Sequence, residues 1–330
     1  MKRFWAGLGA FLILASSGFP YAAERFRVAS GGFGTAIHAA LWAANDQRIF
    51  QKHGLDVEYI AIDSGTLSMQ MLLANELQAL FTTGALAVTA NLQGGDLAIF
   101  AGGMNFFPFK FITRPDIKTA EDLKGKTVAI SRFGSASDYA VQAALEKLGV
   151  NPKQVVVIQL GGNPSRLAAL TGGSAQASVF SEPFATVAVK KFGMRPLVDL
   201  AELGLAFPQN CFMVKRGYLE ANRTKIVNLM KAVIEGLYML KRDKGLALKL
   251  IKKYTRVDEE DAAIGYEYYL AQHGEGILIL PDKKGLEFVI AEVAKNNPKA
   301  KGQTTETLKL LEPSILEEIK RSGFVGKVKQ

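Results

Sequence analysis

The chain has 330 residues, of which 48% are hydrophobic and 22% charged, with a formal net charge of +9 and one cysteine. This is ordinary globular composition, long enough for two or three domains with cores of their own. The positive excess is spread along the chain with no dense Lys/Arg run interleaved with aromatics, which argues against a nucleic-acid partner, and the lone Cys211 excludes an internal disulfide.

Lys2 and Arg3 precede an apolar stretch, Phe4 to Ala15, and a small-residue region ending Tyr21-Ala22-Ala23 stands before Glu24 and Arg25. This is the three-part pattern of a secretory signal peptide, expected to be cleaved near Ala23; the competing reading is a membrane anchor. Twelve residues of helix cover about 18 Å, well short of the ~30 Å hydrocarbon core. Residues 1–23 carry two positive charges and no acid, so the mature chain has a net charge of +7. It is expected in the periplasm, because no later segment reaches eighteen uninterrupted apolar residues.

The next feature is a phrase written twice. Val28-Ala29 leads into Phe33-Gly34-Thr35-Ala36, and one hundred positions later Val128-Ala129 leads into Phe133-Gly134-Ser135-Ala136. Each copy reads as strand, tight turn and helix start, which suggests two similar lobes closing on one small polar ligand.

In the first block the pattern predicts a strand over Phe26–Ser30 and one helix over Thr35–Phe50 that stops at His53-Gly54. A strand over Leu55–Ile62 follows, then a helix opened by Ser64-Gly65-Thr66, a strand over Ala79–Thr82, a helix over Ala85–Gln93 and a strand over Leu97–Ala101. The second block repeats the order. Its strands are predicted over Thr127–Ile130, Val155–Leu160 (a continuous apolar run), Ala177–Phe180 and Pro196–Leu200. Its helices are predicted over Ala136–Leu148, from Asn163-Pro164 through Leu170, and over Pro183–Lys191. Strand and helix alternating at this spacing argue for α/β architecture with mostly parallel, doubly wound sheets.

Asn105–Phe111 and Gly204–Phe212 are candidate crossovers between lobes, or else edge strands of one large sheet. From Tyr218 onward the pattern is helical, with Ile226, Leu229, Val233 and Leu237 on one stripe and acids at Asp258–Asp261 suited to a helix start. This region shows no chemistry-bearing motif and is expected to clad the first lobe. Lys327 and Lys329 read as a solvated tail.

In α/β sheets of this kind ligand groups gather where strands end and helices begin. The tips meeting that description are Gly34-Thr35, Ser64-Gly65-Thr66, Thr82-Thr83-Gly84, Gly134-Ser135, Gly162-Asn163 and Ser181-Glu182. They supply glycines for close backbone approach and small hydroxyl or amide groups, although each alone also suits an ordinary cap or turn. Glu182 stands out as a carboxylate before Pro183, either a ligand contact or a first-turn acid. Phe106, Phe107, Phe109 and Phe111 either flank an aromatic ligand or belong to the core. His38, His53 and His273 show no metal-ligand spacing and are expected at the surface or at caps. There is no Gly-x-Ser-x-Gly elbow and no phosphate-binding loop of the Walker type, Gly32-Phe33-Gly34 lacks the third glycine of a dinucleotide turn, and Cys211 is expected to be packed rather than reactive. No cofactor is implied.

Several runs resemble one family. Lys52-His53-Gly54-Leu55-Asp56-Val57, Glu76-Leu77-Gln78-Ala79 and Asp122-Leu123-Lys124-Gly125-Lys126-Thr127-Val128-Ala129, together with the export signal and Ser181-Glu182-Pro183-Phe184, are similar to substrate-binding proteins of ABC importers. The branch resembled is the nitrate, sulfonate, taurine and thiamine-pyrimidine-precursor group, over roughly residues 25–270. The resemblance implies a two-lobed type-II periplasmic binding fold with two crossovers and a ligand cleft. Its expected division is a signal peptide at 1–23, the first part of lobe 1 at 24–107, lobe 2 at 108–209, and the return strand and C-terminal helices of lobe 1 at 210–330. It also implies a monomeric receptor that hands its ligand to a membrane permease driven by an ATPase, and that is not an enzyme. Carried over by position, the ligand-binding tips are Gly34, Thr35, Gly65, Thr66, Thr83, Gly84, Gly134, Ser135, Asn163 and Glu182. Neutral donors at helix starts favour a small organic anion of sulfonate or carboxylate type, whereas Glu182 and the phenylalanines favour a pyrimidine or another aromatic, amine-bearing vitamin precursor. An enzyme like the fungal pyrimidine synthases and a sensory ligand-binding module are the readings from other classes. One cysteine and scattered histidines weigh against the first; the lack of a fused helix-turn-helix or membrane segment weighs against the second.

Overall fold

A computed structural model describes residues 26–102 and 104–330; the expected signal peptide lies outside the described residues. Ten strands form: β1 Phe26–Gly31, β2 Val57–Ile62, β3 Ala79–Thr82, β4 Leu97–Ala101, β5 Lys110–Thr113, β6 Thr127–Ile130, β7 Val156–Gln159, β8 Ala177–Phe180, β9 Arg195–Asp199 and β10 Cys211–Lys215. They build two five-stranded sheets, ordered β2-β1-β3-β10-β4 and β7-β6-β8-β5-β9. In each sheet the first three strands run parallel, and one antiparallel strand, β10 or β5, is wedged between the last two. The two orders are the same, as the repeated phrase suggests, and the single-sheet alternative is excluded.

β3 and β4 are wholly buried because helices cover both faces, which is why they read as unbroken apolar runs. Phe81 of β3 stacks on Phe212 of β10 with ring centres 4.1 Å apart, both about 1% exposed or less. Burying each such ring contributes roughly 1.5–3 kcal/mol. The apolar run at β7 is nonetheless the sheet's edge, and Val156 is 54% exposed.

Helices α1 Ala39–Asp46, α2 Gly65–Leu73 and α3 Ala85–Leu92 link the strands of the first sheet. The single helix expected over Thr35–Phe50 is instead a 3-10 turn at Ala36–His38, then α1, then a separate turn at Ile49–Lys52. The break falls at Arg48, whose φ of 55° lies in the left-handed region. In the second sheet α4 Ala136–Lys147, α5 Asn163–Gly172 and α6 Phe184–Phe192 play the same part.

The chain passes between the sheets twice, and the two passages pair with each other: Phe106 bridges Ala206, and the Phe207 and Gln209 amides donate to the carbonyls of Asn105 and Met104 at 3.0 Å. Of the phenylalanines here, Phe107 stacks on Phe207 with centres 4.0 Å apart, and Phe107 and Phe111 are fully buried.

α7 Arg223–Arg242 buries its predicted stripe, Ile226, Leu229, Val233 and Leu237, against α1. Two expectations for this end of the chain are corrected. The basic terminus is not a loose tail but a helix, Phe324–Lys329, with Lys329 paired to Glu275 at 3.2 Å. The C-terminal region also does more than clad the first lobe: α8 Glu259–Gly265 reaches the second, where Lys191 of α6 pairs with Asp261 at 2.6 Å and with Asp258.

Candidate ligand site between the lobes

The carboxyl ends of the parallel strands of both sheets face a single narrow hollow with room of about 60 Å³ for water-sized occupants. This is where parallel α/β sheets gather ligands, since strand-end loops and helix starts converge there. The first lobe contributes the Gly31-Gly32-Phe33 turn, Thr35, His38, Asp63, Gly65 and Thr83. The second contributes Ser131, Ser135 and Ser137 at the start of α4, then Gly162, Asn163 and Arg166 of the α5 start, and Ser181. Phe109, Gln209 and Asn210 come from the crossovers, and Tyr269 comes from the C-terminal region.

Among the described residues, six buried side-chain polar atoms have no hydrogen-bond partner, and five of them belong to residues of this wall: Thr35 Oγ1, His38 Nε2, Gln209 Oε1, Asn210 Oδ1 and Tyr269 Oη. An unpaired buried polar group costs about 1–3 kcal/mol, so a chain that leaves five around one hollow has arranged them for something outside itself.

Of the ten tips carried over as ligand-binding, five line the hollow, Thr35, Gly65, Thr83, Ser135 and Asn163, as do Thr82, Gly162 and Ser181 of the wider set of strand-end tips. The other five do not. Gly34 turns its carbonyl to the opposite lobe, where the Asn163 side-chain amide donates to it at 2.9 Å. Thr66 donates its hydroxyl to the Phe133 carbonyl at the rim, and the Gly84 amide donates to Pro208 of the crossover. The Gly134 amide donates to Asp138 Oδ2 at 2.8 Å. Glu182 is buried in a smaller pocket with Tyr268, where it accepts from the Thr186 amide and pairs with Lys110 at 3.4 Å. In this closed arrangement its carboxylate serves the second lobe's own packing.

The helix starts also differ from expectation. They were to be open donors for an anion, yet the chain's own groups fill several of them. Asp138 takes the Gly134 amide at α4, Ser64 caps α2 through the Leu67 amide, and Asp63 of the first lobe accepts from the Gly162 amide at α5 at 2.9 Å. The contact is tight, for a Cβ on Gly161 would fall 2.0 Å from Asp63 Oδ2, and the Gly161 φ of 82° favours glycine as well.

The cation of the site is Arg166, 3% exposed. Its guanidinium donates to the Val179 carbonyl at 2.8 Å, to Asn163 Oδ1 at 2.7 Å and to the Gly162 carbonyl at 3.4 Å. These are all neutral acceptors, so N–H donors remain. Burial lowers its pKa to about 10, with the field of Asp63 acting the other way, so it stays charged at neutral pH. No carboxylate lies within ion-pair distance of it among the described residues. His38 is neutral, its pKa pushed down to about 3 by burial. It occupies the N-cap position of α1, as one of the two expectations has it, but its ring is enclosed and makes no capping hydrogen bond. His53 pairs with Glu235 at 2.9 Å and His273 packs on Phe106, and no group of metal-ligating side chains occurs among the described residues.

Reading strand-end tips alone misses Asp63, Arg166, His38, Gln209, Asn210 and Tyr269. Two carried a signal: Asp63 directly precedes the Ser64 tip, and Arg166 lies three residues after Asn163, hence on the same helix face.

Two similar α/β lobes, two paired passages and a polar hollow between them define a two-lobed binding protein of the periplasmic binding protein fold. The chain belongs to the NMT1/THI5-like family, whose model matches residues 35–256. A binding protein of Brucella abortus is 28% identical over 207 residues, covering 62% of each chain; this chain thus spans 62% of the length of that curated relative. Among solved structures it is similar to the alkanesulfonate-binding protein SsuA of Xanthomonas axonopodis pv. citri bound to MOPS (TM-score 0.67, 17% identity, 88% of this chain and 96% of that one). It is likewise similar to the periplasmic nitrate-binding protein NrtA of Synechocystis PCC 6803 (TM-score 0.71, 14% identity, 91% and 89%).

Proposed function

We propose that this protein is the solute-binding receptor of an ABC importer, taking a small organic anion of sulfonate or carboxylate type between its lobes and delivering it to a membrane permease. Export to the periplasm through the signal at residues 1–23 belongs to the same reading. The observation that carries it is Arg166: a buried guanidinium on the cavity wall, held by neutral acceptors, with donors left over. Asp63 acts on this charge only at a distance, so a bound anion in direct contact would supply the missing ion pair while taking paired N–H bonds. The Thr35 hydroxyl adds a neutral donor on the same wall. A hydrogen bond to a charged acceptor contributes about 1.5–3 kcal/mol, and micromolar affinity needs about 8 kcal/mol net, so a handful suffices. That relatives of similar fold are described as binding alkanesulfonate and nitrate points the same way.

Binding without chemistry fits the lone thiol. Cys211 is buried in β10 behind Gly84, with its pKa raised by burial, and it lies outside the cavity lining. A second reading draws on Gln209 Oε1 and Asn210 Oδ1, unpaired acceptors that suit the N–H groups of a pyrimidine precursor. A thermal-shift panel of sulfonates, carboxylates, nitrate and pyrimidines separates the two, since a ligand of the native state raises the melting temperature by mass action. A sulfonate or carboxylate hit is expected; a response to pyrimidines alone sinks the anion reading, and turnover of a hit sinks the receptor reading.

A further inference from the structure

Tyr269 stands apart in the wall of the hollow because it lies beyond residue 256, where the family model stops. It is 3% exposed, yet its hydroxyl makes no well-formed hydrogen bond. That hydroxyl is within hydrogen-bonding reach of Thr35 from the first lobe and Ser181 from the second, but neither contact has good geometry, so the internal bonds open to it are weak. On its other side the ring borders a second cavity walled by Ile37, Phe81, Met104, Leu237 and Leu270. That cavity is mainly apolar, with His273 its one other polar side chain, whereas the ligand hollow sets Thr35 and Ser181 beside the phenol. Phenylalanine would fill the same outline with no orphaned oxygen, so packing alone does not call for the hydroxyl.

The segment that carries it is irregular. After Gly265, α8 widens into a turn of π-helix over Tyr266–Gln272, an element that occurs frequently at functional sites. Tyr269 lines the hollow, while its neighbour Tyr268 lines the separate pocket of Lys110, Glu182 and Asp199. Lys191 of the second lobe grips the start of the same segment through Asp258 and Asp261, so Tyr269 is held from both lobes.

We propose that Tyr269 is a ligand-binding residue whose phenol, beside Thr35, donates a hydrogen bond to an oxygen of the anion held between the lobes. The assignment rests on the anion reading given above. Burial raises the phenol's pKa, so at neutral pH it remains a protonated donor.

Tyr269→Phe removes one oxygen and keeps the ring. Calorimetric titrations of the purified protein use methanesulfonate, ethanesulfonate, acetate and propionate, with thermal melts run alongside in the absence of these anions. Whichever anion the unmodified protein binds should bind Tyr269→Phe roughly tenfold to a hundredfold more weakly, as expected for losing a bond to a charged acceptor. The melting temperature without anion should be unchanged or higher in the variant, because an unpaired buried hydroxyl is gone. Tyr268→Phe, outside the hollow, should keep affinity within roughly twofold. Equal affinity in Tyr269→Phe overturns the assignment while leaving the anion reading intact. A lower melting temperature without anion also overturns it, since that marks an internal structural bond. If the unmodified protein binds none of the four, the anion reading falls and this assignment falls with it.

Discussion

The side-chain amide of Asn163 donates to the carbonyl of Gly34 across the gap between the lobes, at 2.9 Å, while the Asn163 backbone amide reaches the Phe33 carbonyl at 3.3 Å. The repeated turn of one lobe thus seats on the α5 start of the other. Gly34 has a φ of 82°, and a Cβ there would meet Pro164 Cδ at 2.8 Å. Gly34→Ala places that methyl where the lobes meet, so the shut state should suffer more than an open one. We expect roughly tenfold weaker ligand binding. Small-angle scattering with saturating ligand should give a larger radius of gyration than the unmodified protein; identical curves and affinities would show that this contact does not hold the lobes together.

Arg166→Met should remove the anion-induced rise in melting temperature and weaken binding by at least about tenfold, the loss of one or two charge-assisted bonds. Arg166→Lys keeps the charge but not the planar fork, so an intermediate affinity is expected. Calorimetry on the three proteins reads this directly, and full affinity in the methionine variant would place the anion elsewhere.

Ser135 shares a buried hydroxyl cluster with Ser131 and Ser137, at 2.8 and 2.9 Å, at the start of α4. Ser135→Asp adds a second carboxylate near Asp138 and faces the hollow with negative charge. Anion binding should fall by at least about tenfold. Unchanged affinity in a titration would remove Ser135 from the site.

His38 gives a pH dependence with a definite sign. Its imidazole titrates near 6.5 in the unfolded chain but near 3 in the folded one, because burial disfavours the cation. Between those values the unfolded chain holds the proton and the folded chain does not, so stability falls as the pH drops below 6.5. At pH 5 the loss is on the order of 2 kcal/mol. Urea midpoints at pH 7.5, 6 and 5 should decline more steeply for the unmodified protein than for His38→Gln; parallel declines would contradict this.

The sheets were legible because their signals are local. Each strand run is apolar between glycine turns, and even the edge strand β7 was found, although its exposure was not legible, since an apolar run does not say which side of a sheet it ends on. The break at Arg48 was not legible: nothing in Gln47-Arg48-Ile49 marks a left-handed residue. For the site, strand-end tips located Thr35, Gly65, Thr83, Ser135 and Asn163. The partners of those tips were hidden because they arrive from far along the chain: Asp63 meets Gly162, 99 residues away, and Tyr269 meets Thr35 through an irregular helix that periodicity does not reveal. His38 does stand at a helix cap, but its enclosure was not legible, because a histidine beside alanines carries no mark of it.

The late return of β10 to the first sheet bears on how the molecule is built. β10, which pairs with both β3 and β4, is reached only after the whole second sheet has been made, and β5 enters that sheet straight from the first. The first sheet therefore lacks an inner member until the second lobe has been synthesised, whereas all five strands of the second sheet, β5 to β9, come from one continuous stretch. A chain that ends before β10 should leave its first sheet incomplete, while the second lobe carries every strand its own sheet needs.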